Sequence, residues 1–103
     1  MHISTAELAQ GRPCQGEFDR FCSIFGDGLD LTWDHFKYAQ AFHASSWLWL
    51  VRRLRGASGY NKCKAIRDRI IEERHFDDSF LPYSKWQKVT AEAALEVLLG
   101  PWK

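Results

Sequence analysis

Between Thr32 and Arg55 the chain gathers large apolar side chains as no other stretch does: six aromatics (Trp33, Phe36, Tyr38, Phe42, Trp47, Trp49) and four aliphatics (Leu48, Leu50, Val51, Leu54). Removing each of them from water is worth roughly 1.5 to 3 kcal/mol, so the fold has to be built over the middle of this segment. Thr32 is a natural N-cap and Asp34 suits the positive end of a helix dipole, which predicts a helix over 33–44. Ser45 and Ser46 interrupt the apolar pattern and offer a second cap, which predicts a further helix over 46–55, with one long kinked helix as the alternative. In that piece Trp47, Leu50, Val51 and Leu54 share a face while Leu48 and Trp49 point elsewhere, the mark of a centrally placed helix.

The flanking segments repeat the helical period. Ser4 or Thr5 caps a short helix over 6–10, which Gly11 and Pro13 end. Cys14, Phe18, Phe21, Cys22 and Phe25 recur at the spacing of one apolar stripe and predict a helix from about Pro13 to Phe25, closed by Gly26-Asp27-Gly28. Leu29 and Leu31 then flank Asp30 in a short extended link. After Gly56-Ala57-Ser58-Gly59, read as a surface loop, Cys63, Ile66, Ile70, Ile71 and Arg74 mark an amphipathic helix to about His75. Residues 76–84 form a turn-rich link whose Phe80, Leu81 and Tyr83 are expected at the core edge. A last helix over 84–99 buries Trp86, Val89, Ala93 and Val97 and stops at Gly100-Pro101. No alternating strand pattern of useful length is present. The expectation is an all-α protein, a compact bundle of five or six short helices in a single helical domain over 1–103, with Phe18, Phe21, Phe36, Trp47, Leu50, Leu54, Ile66, Ile70, Trp86, Val89 and Val97 in one core.

Motifs exclude more than they assign. Cys14, Cys22 and Cys63 are too far apart for a zinc or redox CxxC motif and read as reduced, buried or half-buried thiols. A metal site would have to be assembled in space from a cysteine and His2, His35, His43 or His75, without paired ligand spacing. His35, Asp34, His75 and Asp77 are scattered rather than arranged as a nucleophile and its base, so the chain is not expected to be an enzyme, and no motif calls for a cofactor or metal. The longest uninterrupted apolar run, Trp47 to Val51, is too short to cross a bilayer, and no secretory signal opens the chain; the expected location is the cytoplasm.

The formal net charge of +1 conceals three blocks. Residues 1–51 carry six acids against three bases, residues 52–69 seven bases (Arg52, Arg53, Arg55, Lys62, Lys64, Arg67, Arg69) against Asp68, and residues 70–103 four bases against six acids. The acids Glu17, Asp19, Asp27, Asp30 and Asp34 read as ordinary helix-end and turn residues. The basic block is the candidate partner-binding surface, with Arg52, Arg53, Arg55, Tyr60, Lys62, Lys64 and Arg67 as contacts around the Gly56–Gly59 loop and Trp102 in the tail as a competing anchor. Three readings stay open, one of them a merely solvated face. Cations with Ser58, Tyr60 and Asn61 match the inventory of phosphate contacts, and two helices joined by a glycine turn suggest a helix-turn-helix-like nucleic-acid binder. An acidic protein partner would be drawn by the same field.

Glu7-Leu8, Cys14-Gln15-Gly16, Phe18, Phe21, Phe25-Gly26-Asp27, Leu31-Thr32-Trp33, Ala41 and Trp47-Leu48-Trp49-Leu50 together resemble a pattern of small bacteriophage and mobile-element proteins. There a cysteine and a glycine precede an aromatic helix, and a short link leads to a Trp-Leu-rich helix. The likeness spans about the first half of the chain and rests on core and turn residues. It implies a phage-type interaction protein that binds and inhibits a host defence complex, a host protein or ribonucleoprotein as in the anti-CRISPR class, within a bacterial cytoplasm. The nucleic-acid-binding regulator is the alternative.

Overall fold

The computed structural model describes residues 1–10, 14–38, 42–74 and 81–100. In chain order it holds strand β1 (His2–Ser4), helix α1 (Thr5–Leu8), helix α2 (Gln15–Phe25), strand β2 (Gly28–Asp30), a 3-10 helix (Trp33–Tyr38), helix α3 (Ala44–Glu73) and helix α4 (Tyr83–Leu99). The most extensive packing between elements joins α3 to α4.

Helix α3 starts two residues before the expected second cap. His43 stands at its N-cap in extended conformation, and its carbonyl takes the amides of Ser46 and Trp47. Ser46 caps nothing; it is buried and its hydroxyl accepts from Arg20 at 2.8 Å. The expected loop over 56–59 is a correction of a different kind. Only Gly56 leaves the helical region, at φ 70° and ψ −167°, and Ala57 to Glu73 resume the helix. That conformation is open essentially to glycine alone, so one residue absorbs the whole break. Gly59 is needed just beyond it, since a Cβ there would lie 2.3 Å from that of Arg55. The two halves of α3 bury Trp47, Leu50 and Val51, then Cys63, Ile66, Ile70 and Ile71, at helical spacing. Small residues on α4, Ala91, Ala93 and Ala94 beside Thr90, Leu95 and Leu98, are buried and let the neighbouring backbone come close.

The all-α expectation misses a two-stranded antiparallel ribbon. His2 pairs with Asp30, Ile3 with Leu29 and Ser4 with Gly28, so the two central side chains turn inward together. Gly28 leaves room for this approach, because a Cβ would sit 2.7 Å from the carbonyl oxygen of Ile3. Backbone bonds from Thr5 to Asp27 and from Leu31 to Met1 extend the pairing on either side. Three residues per strand allow a single apolar alternation, too little to register as a strand pattern. Helix α1 is likewise shifted from 6–10 to Thr5–Leu8, with Ser4 Oγ accepting the amide of Glu7 at 3.2 Å.

The segment 33–38 is wound as a 3-10 helix rather than the start of an α-helix. Thr32 does stand at its entrance, and His35 reaches back so that Nδ1 accepts the Thr32 amide at 3.1 Å, while the His35 amide donates to the Thr32 carbonyl at 3.0 Å. The rest of the expected 33–44 helix falls partly on 39–41, outside the described residues. Helix α2 keeps its expected place, but its stripe is graded: Phe21 is buried, Phe18, Cys22 and Phe25 are half-buried and Cys14 is exposed. Phe21 and Phe25 meet Phe42 at centroid distances of 6.3 and 5.6 Å, and Phe42 stands edge-on to Trp47 at 5.1 Å. This aromatic chain links α2 to α3. Of the expected core, Phe21, Trp47, Leu50, Ile66, Ile70 and Val89 are buried, whereas Phe18, Phe36, Leu54, Trp86 and Val97 pack half-buried at its edge. Tyr83, expected to tuck in, is 56% exposed. Among the described residues no helix is long and apolar enough to cross a membrane.

Candidate interaction surface

The seven bases of the 52–69 block do three different jobs. Arg53 is half-buried and turns toward the N-terminal segment, where Nη2 donates to the carbonyl of Leu8 at 3.0 Å and to that of Gln10. These carbonyls lie at the end of α1, where helix geometry leaves acceptors without intrahelical donors, so Arg53 acts as a cap supplied from another element. Arg67 lies over the Trp86 ring at 4.2 Å with only 13% of its side chain exposed, and Arg69 makes 3.1 and 3.2 Å bonds to Glu96. Both therefore fasten α3 to α4, as does Arg74 through a 2.6 Å bond to Glu92. The hydrogen bond that Arg74 donates to Glu92 raises its pKa above the usual value, against the pull of partial burial.

Arg52, Arg55, Lys62 and Lys64 do the third job. None of them forms an ion pair with a carboxylate among the described residues, and all but the half-buried Lys64 are exposed. Tyr60 organises two of them: the Arg52 guanidinium lies 5.5 Å from the ring centroid and the Lys64 ammonium 4.5 Å. Contacts of this kind contribute about 0.5 to 1 kcal/mol at exposed sites, enough to bias the rotamers of long side chains without neutralising their charge. Arg55 adds only a bond to the Leu54 carbonyl and a 3.7 Å contact with the Met1 sulfur. Exposed Ser58 and Asn61 lie between the cations along the helix. These four cations lie on either side of the Gly56 break; Tyr60 brings Arg52 and Lys64 together, whereas Lys62 and Lys64, two positions apart on the helix, point to different sides.

Of the seven contacts expected from sequence, Arg52, Arg55 and Lys62 are exposed and Tyr60 and Lys64 half-buried, with Arg52, Tyr60 and Lys64 brought together, while Arg53 and Arg67 are turned onto partners within the chain. The turn of three or four residues that a helix-turn-helix places between its helices has no counterpart here, since residues 57–59 are helical. Trp102 lies outside the described residues, as do His75 and Asp77.

Three of the N-terminal acids are engaged locally. Glu17 pairs with Arg20 at 3.2 Å, Asp19 accepts from Gln15 at 2.7 Å, and Asp30 meets His2 at 2.8 Å. Cys14 is exposed rather than buried, Cys22 half-buried and Cys63 buried, all as free thiols. Burial pushes the Cys63 thiol up to about 11, with Arg67 pulling weakly the other way. Among the described residues no group of three His, Cys, Asp or Glu side chains could hold a metal ion. A cleft of about 320 Å³ lies elsewhere, lined by Trp33, Phe36, Arg74 and Glu92, its two charged residues bonded to each other. Comparison with protein-family models, with curated proteins and with solved structures finds no match to this chain.

Proposed function

We propose that the chain is an interaction protein that binds, and by binding inhibits, a host defence complex of the CRISPR–Cas kind in a bacterial cytoplasm, without catalysing a reaction. One observation carries this reading: Arg52, Arg55, Lys62 and Lys64 lie within one stretch of α3 with no carboxylate of the described residues to answer them, while Arg67 lies on Trp86 and Arg69 and Arg74 are paired with Glu96 and Glu92. A field without internal counter-charge is free to steer and hold an acidic partner. The resemblance of the first half to small phage proteins supports the biological setting. A regulator that binds nucleic acid on its own is the second reading, and it draws on the same cations.

The test is biological and structural together. In bacteria whose CRISPR–Cas system restricts a phage, expression of the chain should restore plaques. An Arg52→Glu/Lys62→Glu/Lys64→Glu variant, first shown by circular dichroism to be folded, should not. Equal restoration by parent and variant would remove these cations from the mechanism. Failure of the parent to restore plaques against any restricting system would remove the inhibitory function.

A further inference from the structure

We infer that the cleft lined by Trp33, Phe36, Arg74 and Glu92 is a binding site for one flat, uncharged heterocycle that presents a ring N–H beside a carbonyl, the edge of uracil or guanine. This site is separate from the cations of residues 52–64 and does not depend on the reading above.

Three elements build the lining. Trp33 and Phe36 are three positions apart in a 3-10 helix, which turns once in about three residues, so they fall on the same side of it. The Trp33 ring is held in place by its Nε1–H, which donates to the Gly100 carbonyl at 3.2 Å, just past the end of α4. The polar part of the lining is the Arg74–Glu92 pair, brought together from the C-cap of α3 and the middle of α4. At about 320 Å³ the cleft lies at the small end of the range for ligand sites, where a single ring system fits. Unpaired bases stack on aromatic side chains of this kind, whatever their sequence.

The charged pair decides both the charge and the edge of the ligand. An anion drawn to Arg74 meets Glu92 bonded to it and the nearby charge of Glu73, and a cation drawn to Glu92 meets Arg74. An uncharged ligand meets neither opposition. Arg74 Nη2 donates to Glu92 Oε1 at 2.6 Å, and among the described residues the other guanidinium nitrogens and Glu92 Oε2 make no further hydrogen bond. Donors therefore stand beside an acceptor. A ligand carbonyl offers two lone pairs to the guanidinium, and an N–H next to it answers the remaining carboxylate oxygen. Uracil and guanine carry that pairing, whereas the ring nitrogen on the pairing edge of adenine and cytosine is itself an acceptor.

The experiment follows the indole N–H signals of the isotope-labelled full chain by NMR during titration with uridine, guanosine, their N-methylated forms that lack the ring N–H, and an oligouridylate RNA. Uridine or guanosine should shift the Trp33 signal, identified by its loss in Trp33→Phe, and N-methylation should weaken binding by about ten-fold, because Glu92 is then left unanswered. Phe36→Leu should weaken it by about as much through lost stacking, whereas the Arg52→Glu/Lys62→Glu/Lys64→Glu variant should bind as the parent does. Equal binding of methylated and unmethylated nucleosides overturns the edge assignment, and no shift of the Trp33 signal by uridine or guanosine overturns the site. Both outcomes are read on the unaltered chain, so neither depends on a variant that folds. The RNA separates the two sources of the base. Binding no tighter than that of uridine supports a free nucleoside as ligand, and tighter binding at the same Trp33 signal supports a base held within a strand.

Discussion

At the scale of single residues, identical side chains in one short run have opposite consequences because their neighbours differ. Arg53→Ala should lower stability by about 1 to 2 kcal/mol, since it strips a charged donor from two carbonyls at the end of α1. Arg52→Ala, one position away, should change the urea midpoint by a few tenths of that, as its exposed guanidinium gives up only a contact with Tyr60. Equal losses in the two variants would contradict this division of labour. Cys63 supplies a second contrast. Its thiol is held near pKa 11 by burial, against an ordinary value of 9.0. Between those values the unfolded chain gives up a proton that the folded chain keeps, so this contribution to stability is intact below about pH 9 and is lost as the pH climbs toward about 11. The melting temperature of the parent should therefore fall more steeply across that window than that of Cys63→Ala. Thiol labelling at neutral pH should modify Cys14 at once and Cys63 only on unfolding.

At the scale of elements, the break in α3 is the feature most open to test. Replacing glycine with alanine inside an ordinary helix is stabilising by about 1 kcal/mol. At Gly56 the sign reverses, because φ 70° with ψ −167° strains any side-chain-bearing residue by about 1 to 3 kcal/mol. Chemical denaturation of Gly56→Ala decides it by sign alone, and a more stable variant would mean that α3 is continuous. The helices themselves were legible because the stripes of α2, α3 and α4 run for several turns. Their borders were less so. Ser45 and Ser46 look like a cap in sequence, yet Ser46 serves Arg20 across 26 positions, a demand made by another helix. The ribbon was missed because its pairs, His2 with Asp30 to Ser4 with Gly28, join residues 24 to 28 apart through strands too short to show a period. Gly56-Ala57-Ser58-Gly59 looks like a loop because two glycines weaken a helix equally on paper. In space only the first bends the chain, while the second makes room for Arg55. The basic segment was visible as a run of bases, but which of them stay free of partners within the chain depends on Trp86, Glu96 and the Leu8 and Gln10 carbonyls, none of which is near in sequence.

For the whole molecule, one aromatic junction decides whether the N-terminal half stays joined to α3. Trp47 is fully buried and stands edge-on to Phe42, which touches Phe21 and Phe25 in turn. Trp47→Ala should cost about 3 to 5 kcal/mol, because surrounding rings fill such a cavity only in part. A domain whose total stability lies in the range of about 5 to 15 kcal/mol could lose most of it, and loss of the cooperative melting transition is the measurement to make.

The break at Gly56 also reaches beyond stability, because Arg52 and Arg55 lie before it and Lys62 and Lys64 after it. The distance between these two pairs of charges is set by a single backbone position. A ligand with fixed charge spacing that engages both pairs therefore binds one setting of that position better than others, and by thermodynamic reciprocity must hold it there in return. The bend is thus a point of exchange between shape and affinity: amide hydrogens around 55–58 should exchange more slowly once cations on both sides of the bend are engaged, and a variant that alters the bend should change affinity without removing a single charge.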